Sequence, residues 1–188
     1  MISALVVATA LSAEPGVEGQ ELPTSVAMYI ALLEPMVVAS GSSVTVAPIN
    51  ATVRIGGILN GQHALLAGIS FATAFLSNSN GVTLSFMPTY RYHLTPLRAG
   101  AFSPYVQAEL FIGYASGGGG GGGGSSTVPF GFGGSFGAEQ MVTRNFGITA
   151  AAGLRFIHSE VTGGGGGGGT TSGNQLGIYA SAGLALHF

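Results

Sequence analysis

Apolar residues recur at every second position along most of this chain. The last fifteen residues, NQLGIYASAGLALHF, show it plainly. Leu176, Ile178, Ala180, Ala182, Leu184, Leu186 and Phe188 fall on one side, with Gly177, Tyr179, Ser181, Gly183, Ala185 and His187 on the other. The same alternation sets Val82, Leu84, Phe86, Pro88, Tyr90, Tyr92 and Leu94 against Thr83, Ser85, Met87, Thr89, Arg91 and His93. A period of two is that of a β-strand with unlike faces. The pattern predicts eight strands, over residues 24–38, 44–59, 63–76, 82–94, 102–115, 128–142, 145–161 and 174–188.

The breaks between them are rich in turn formers: NGQ at 60–62, SNSNG at 77–81, TPLRAG at 95–100 and TRN at 143–145. Two uniform glycine runs, 117–124 and 163–169, predict flexible loops over 116–127 and 162–173. Neither run carries the interspersed residues, the Lys or the following helix of a phosphate-cradling loop. The longer connections tend to follow the odd-numbered strands, most clearly in the second half of the chain. Such asymmetry is a property of transmembrane barrels, with short turns on one side and long loops on the other.

Composition decides what the apolar faces meet. Only 6% of residues are charged, against about 25% in a typical soluble domain. Lys, Asp, Trp and Cys are all absent, and 46% of residues are hydrophobic. A soluble lipocalin-like barrel would turn the second face to water and need charges there, whereas here that face is mostly Gly, Ser and Thr. The pattern therefore predicts an all-β chain: an eight-stranded antiparallel up-and-down transmembrane β-barrel, apolar side to lipid and small polar side to a narrow lumen. A net charge of −2 offers no basic surface for nucleic acid, and the lack of Cys excludes disulfides. No cofactor is expected. Residues 1–13 read as a signal-peptide-like segment, 14–23 as a flexible periplasmic lead-in and 24–188 as the barrel.

On the segments AFSPYVQAELFIGYAS, GFGGSFGAEQMVTRNFGITAAAGLRF and the terminal ASAGLALHF, the chain resembles the small eight-stranded outer-membrane β-barrel proteins of diderm bacteria, the OmpA/OmpX type. The resemblance implies residence in the bacterial outer membrane, as a monomer surrounded by outer-membrane lipid. It also implies an assembly signal, read by the outer-membrane assembly machinery, in Tyr179, Leu184, Leu186 and Phe188. The chain departs from OmpA in lacking a C-terminal periplasmic domain, so no peptidoglycan anchoring through such a domain is expected.

Five charged residues, Arg54, Arg91, Glu109, Glu139 and Arg155, fall on the predicted lumen face, where charges must compensate one another. Arg91 and Glu109, on neighbouring strands, are expected to meet, with Arg54 and Glu139 nearby in the lower half of the barrel. Tyr90, Tyr92 and Tyr114 sit near strand ends on the apolar face, as interface aromatics do. His63, His93 and His187 lack metal-ligand spacing, so no metal site is expected. The segment RFIHSE faintly resembles the His-x-Ser segment of outer-membrane lipid A deacylases, but His158 and Ser159 are adjacent and point to opposite faces. No catalytic residue is assigned. The expected function is structural or surface-interactive, with an extracellular partner at the loops. Alternatives are passage of small apolar molecules into or across the outer membrane, and a lipid-modifying enzyme.

Overall fold

The computed structural model describes residues 25–40, 43–47, 51–76, 79–119, 125–163 and 170–188. The signal-like segment and lead-in lie outside these residues, as do the centres of both glycine runs. Ten strand segments make eight crossings: β1 (Ser25–Leu33), β2 (Met36–Ser40), β3 (Ser43–Ala47), β4 (Ala51–Leu59), β5 (His63–Leu76), β6 (Ser79–His93), β7 (Phe102–Gly119), β8 (Ser125–Met141), β9 (Phe146–Gly163) and β10 (Thr170–His187). From β4 to β10 each strand pairs antiparallel with the next, and β1 pairs with both β4 and β10. The sheet is thus a closed eight-stranded up-and-down barrel.

Closure is completed at the seam between the chain's two ends, where Phe188 donates its amide to the Val26 carbonyl (2.9 Å). Asn145, in the turn before β9, adds a side-chain hydrogen bond to the His187 carbonyl (2.7 Å). At the turn after β4, Asn60 and Gly61 both adopt left-handed φ, 53° and 65°. Asn-Gly is the pair that tolerates this geometry best.

Two of the expected strands are interrupted. Residues 24–38 divide into β1 and β2 at Glu34–Pro35, and the 44–59 stretch divides into β3 and β4. The cause at the first break is a β-bulge. Ala31 faces Gly183 while Leu33 faces Ala182, so β1 carries one extra residue there. The extra residue reverses the side-chain parity. Ala27, Tyr29 and Ala31 point inward before it, and Glu34 and Met36 point inward after it. The β2–β3 hairpin then continues the wall along β10.

The strands also run further than expected into the glycine-rich stretches. Gly117 pairs with Ser125, Thr170 with Thr162, and Ser125 with Gly163. A ladder needs only backbone donors and acceptors, and glycine supplies both.

Outward residues are apolar: Leu65, Leu110, Phe136 and Ile178 are 61%, 61%, 60% and 62% exposed. The charged residues of the wall point inward instead, and Arg54, Arg91 and Arg155 are at most 6% exposed. A soluble barrel places these two classes the other way round. Inward glycines give room to large neighbours. A Cβ on Gly137 would sit 2.5 Å from the Tyr105 ring, and one on Gly131 would sit 2.8 Å from the Phe111 ring. The rings lie over the glycines opposite them.

Candidate functional site

The lumen is layered along the barrel axis. At the end carrying the short turns, Ile58, Ala64, Leu66, Met141 and Ala185 form an apolar floor. Leu97, from the turn after β6, is fully buried there and donates its amide to the Gly61 carbonyl (2.9 Å). At the opposite end Met36, Met87, Phe111, Ile157 and Tyr179 form a second apolar layer. Among the described residues, the inward charges lie between these two layers.

The lower polar cluster centres on Arg91. Its Nε and Nη2 donate to Gln107 Oε1 (3.1 and 3.0 Å), and its Nη1 donates to Glu139 Oε2 (3.4 Å). The guanidinium lies between the Tyr29 and Tyr105 rings, 4.2 and 4.0 Å from their centroids. Such stacking suits a planar cation in a low-dielectric setting. Glu139 also lies 2.7 Å from His187 Nε2. Ser103 donates to the Thr95 carbonyl (2.6 Å) and accepts from His93 Nδ1 (3.2 Å).

The upper cluster holds two arginines between two glutamates. Arg155 donates from Nε to Glu109 (2.8 Å) and from Nη2 to Glu34 (2.8 Å). Arg54 donates to Glu109 Oε2 (3.3 Å) and lies 3.7 Å from Glu34 Oε2. Gln107 joins the clusters by donating to Glu109 (3.4 Å). Three arginines thus face three glutamates, and the lumen charges cancel.

All five charges singled out in the sequence lie in this network, but not all in the expected pairs. Arg91 does not meet Glu109. The β6–β7 register places Arg91 opposite Gln107 and Thr89 opposite Glu109, one inward position higher. Glu109 instead takes Arg54 and Arg155, while Glu139 stays with Arg91. Glu34 was missed altogether. Simple alternation from Ala27 puts it on the lipid face, and only the bulge turns it inward. The signals that could have found it are Pro35, which has no amide for a ladder, and a charge on an otherwise apolar face.

Tyr90 and Tyr114 are 42% and 55% exposed on the outer face. The β6–β7 register sets Tyr90 opposite Ala108 and Tyr114 opposite Leu84, so the two lie six residues apart along the strands, roughly 15 Å along the axis of a tilted barrel. Tyr92 lies beside His63, ring centroids 5.1 Å apart. In the terminal strand Tyr179 is buried in the lumen while Phe188 is 72% exposed. His158 Nδ1 lies 2.7 Å from Asn174 Oδ1, and no Ser–His hydrogen bond forms there. Among the described residues no cluster of three or more metal-ligating side chains occurs.

No protein-family model matches the chain, and no curated protein matches it. Solved structures do resemble it. The crystal structure of Neisserial surface protein A (NspA) aligns over 90% of this chain and 99% of its own, with a TM-score of 0.64 at 17% identity. The N-terminal β-barrel domain of Pseudomonas aeruginosa OprF covers 90% and 100%, at a TM-score of 0.56 and 16% identity. Ail, the attachment invasion locus protein of Yersinia pestis, covers 90% and 100%, at 0.53 and 14%. All three are eight-stranded outer-membrane barrels, and the fold of this chain is theirs.

Proposed function

We propose that this chain is an integral protein of the bacterial outer membrane with a structural or surface-interaction role and a lumen closed to free permeation. The observation that carries the reading is the lumen itself. Six mutually compensated charges lie between two apolar layers, inside a wall whose outward side chains are apolar. Buried charge of this kind is tolerated when hydrogen-bonded and paired, and it leaves little for a permeant ion to exchange with. The remaining route to function is the surface, where the longer connections meet the environment or an extracellular partner.

Two experiments test this. Membrane fractionation followed by electrophoresis with and without boiling should place the chain with outer membranes and shift its migration on heating. Recovery in the soluble fraction, or an unshifted band, would overturn the reading. In planar bilayers the purified barrel should give no steady conductance, while Arg155→Ala combined with Arg54→Ala should raise ion leakage by removing cations that hold Glu34 and Glu109 in place. Regular open-channel steps from the unaltered protein would contradict a closed lumen.

The filled lumen lends no support to passage of small apolar molecules through the barrel. The alternative of a lipid-modifying enzyme is likewise unsupported, since the polar neighbours of His158 are the Asn174 amide oxygen and, at 3.9 Å, the Glu160 carboxylate, neither of them a nucleophilic hydroxyl.

A further inference from the structure

The outer wall is not uniformly convex. Across β4–β8 a groove of about 760 Å³ opens on the lipid side, within the 300–1,000 Å³ range typical of small-ligand sites. Its floor is made of small outward residues, Ala67, Pro88 and Ala108, and its walls of Leu65, Leu110 and Phe132. Registry brings the floor together. Ala67 faces Pro88 across β5–β6, and Ala108 faces both Tyr90 on β6 and Gly134 on β8. Pro88 has no amide hydrogen, and the β6–β7 ladder skips Met87 and Pro88.

Polar groups flank the groove on the side of the short turn. Tyr90 lines it and shares a hydrogen bond with His63 Nδ1 (2.8 Å) beside the short turn after β4, with Tyr92 against the same imidazole. An apolar trough ending in hydrogen-bonding groups at the membrane boundary matches an amphiphile with one alkyl chain and a polar head.

From this we infer that the groove is a binding site for one phospholipid of the adjacent leaflet, its acyl chain over Ala67, Pro88 and Ala108 and its glycerol–phosphate region at His63 and Tyr90. The inference rests on the membrane-barrel reading above.

Native mass spectrometry of the barrel, extracted in mild detergent and offered palmitoyl-oleoyl phosphatidylethanolamine, tests it. The expected result is one retained phospholipid. Ala108→Phe, which fills the floor, should abolish retention. Tyr90→Phe should reduce it about fivefold, as for one lost hydrogen bond. Leu176→Phe, on the outer face of β10, should leave it unchanged. Retention unaffected by Ala108→Phe overturns the site, and so does a dimer that Ala108→Phe converts to monomer. Each variant is first checked for heat-dependent migration. If the unaltered protein lacks that shift, the barrel reading itself fails, whereas a shifting barrel that holds no phospholipid removes only the groove assignment.

Discussion

Single residues in this barrel matter through what they face across the lumen. Glu109 accepts from Arg54, Arg155 and Gln107 at once, so Glu109→Gln leaves two buried cations short of compensation. Breaking a buried pair from one side costs about 3–5 kcal/mol. Urea unfolding of the refolded barrel should show a loss of that order. The double replacement Glu109→Leu with Arg155→Met should lose less than the two single changes added together. If the losses simply add, the two side chains are not coupled. The glycines offer a second contrast. A Cβ at Gly137 would meet the Tyr105 ring and the Ala150 carbonyl at 2.5 Å, whereas at Gly177 it would meet chiefly the flexible Met36 side chain at 2.9 Å. Gly137→Ala should therefore cost about 1–3 kcal/mol by overpacking, with Gly177→Ala well below it in the same unfolding measurement. Equal losses would argue against ring-over-glycine packing in the lumen.

For the strands, the determining feature is parity. A one-residue slip turns every later side chain to the opposite face. The bulge in β1 does this once, and the result is that Glu34 reaches Arg155 instead of lipid. Deleting Leu32 removes the extra residue and restores plain alternation, with Ala31, Glu34 and Met36 still inward, whereas deleting Leu32 and Leu33 together directs Glu34 and Met36 outward. The double deletion should lower the yield of heat-modifiable barrel sharply, while the single deletion should fold close to normally. Equal yields from the two variants would show that the inward turn of Glu34 is dispensable. The hairpins were easier to read. Asn-Gly at 60–61 makes its turn where the sequence calls for one, because local φ preferences decide it. The ends of the long strands were less legible, since glycine runs carry no side-chain pattern and the ladder extends into them on backbone pairing alone.

Taken as a whole, the molecule is an inverted protein, apolar outside and charged within. That inversion predicts a closed, heat-modifiable barrel in membranes. It also separates two roles of the terminal strand. Phe188 hydrogen-bonds Val26 through its backbone, and this seam does not need its side chain. If the exposed ring belongs to an assembly signal, Phe188→Ala should slow insertion in cells by lowering the amount of heat-modifiable protein in the outer membrane, while refolding into phospholipid vesicles proceeds as before. A comparable slowing in vesicles would assign the ring to stability instead.

The sequence by itself determined the fold class, the number of crossings, the apolar face of the regularly alternating strands, and five of the six lumenal charges. Each of these follows from a period-two pattern combined with a shortage of charge, and both are local or compositional properties. What only the tertiary structure decided is which charge meets which, the inward turn of Glu34, and the shallow trough floored by Ala67, Pro88 and Ala108. Those depend on inter-strand register, and register is set by bulges, turn geometry and the closure of the barrel rather than by any one strand's pattern.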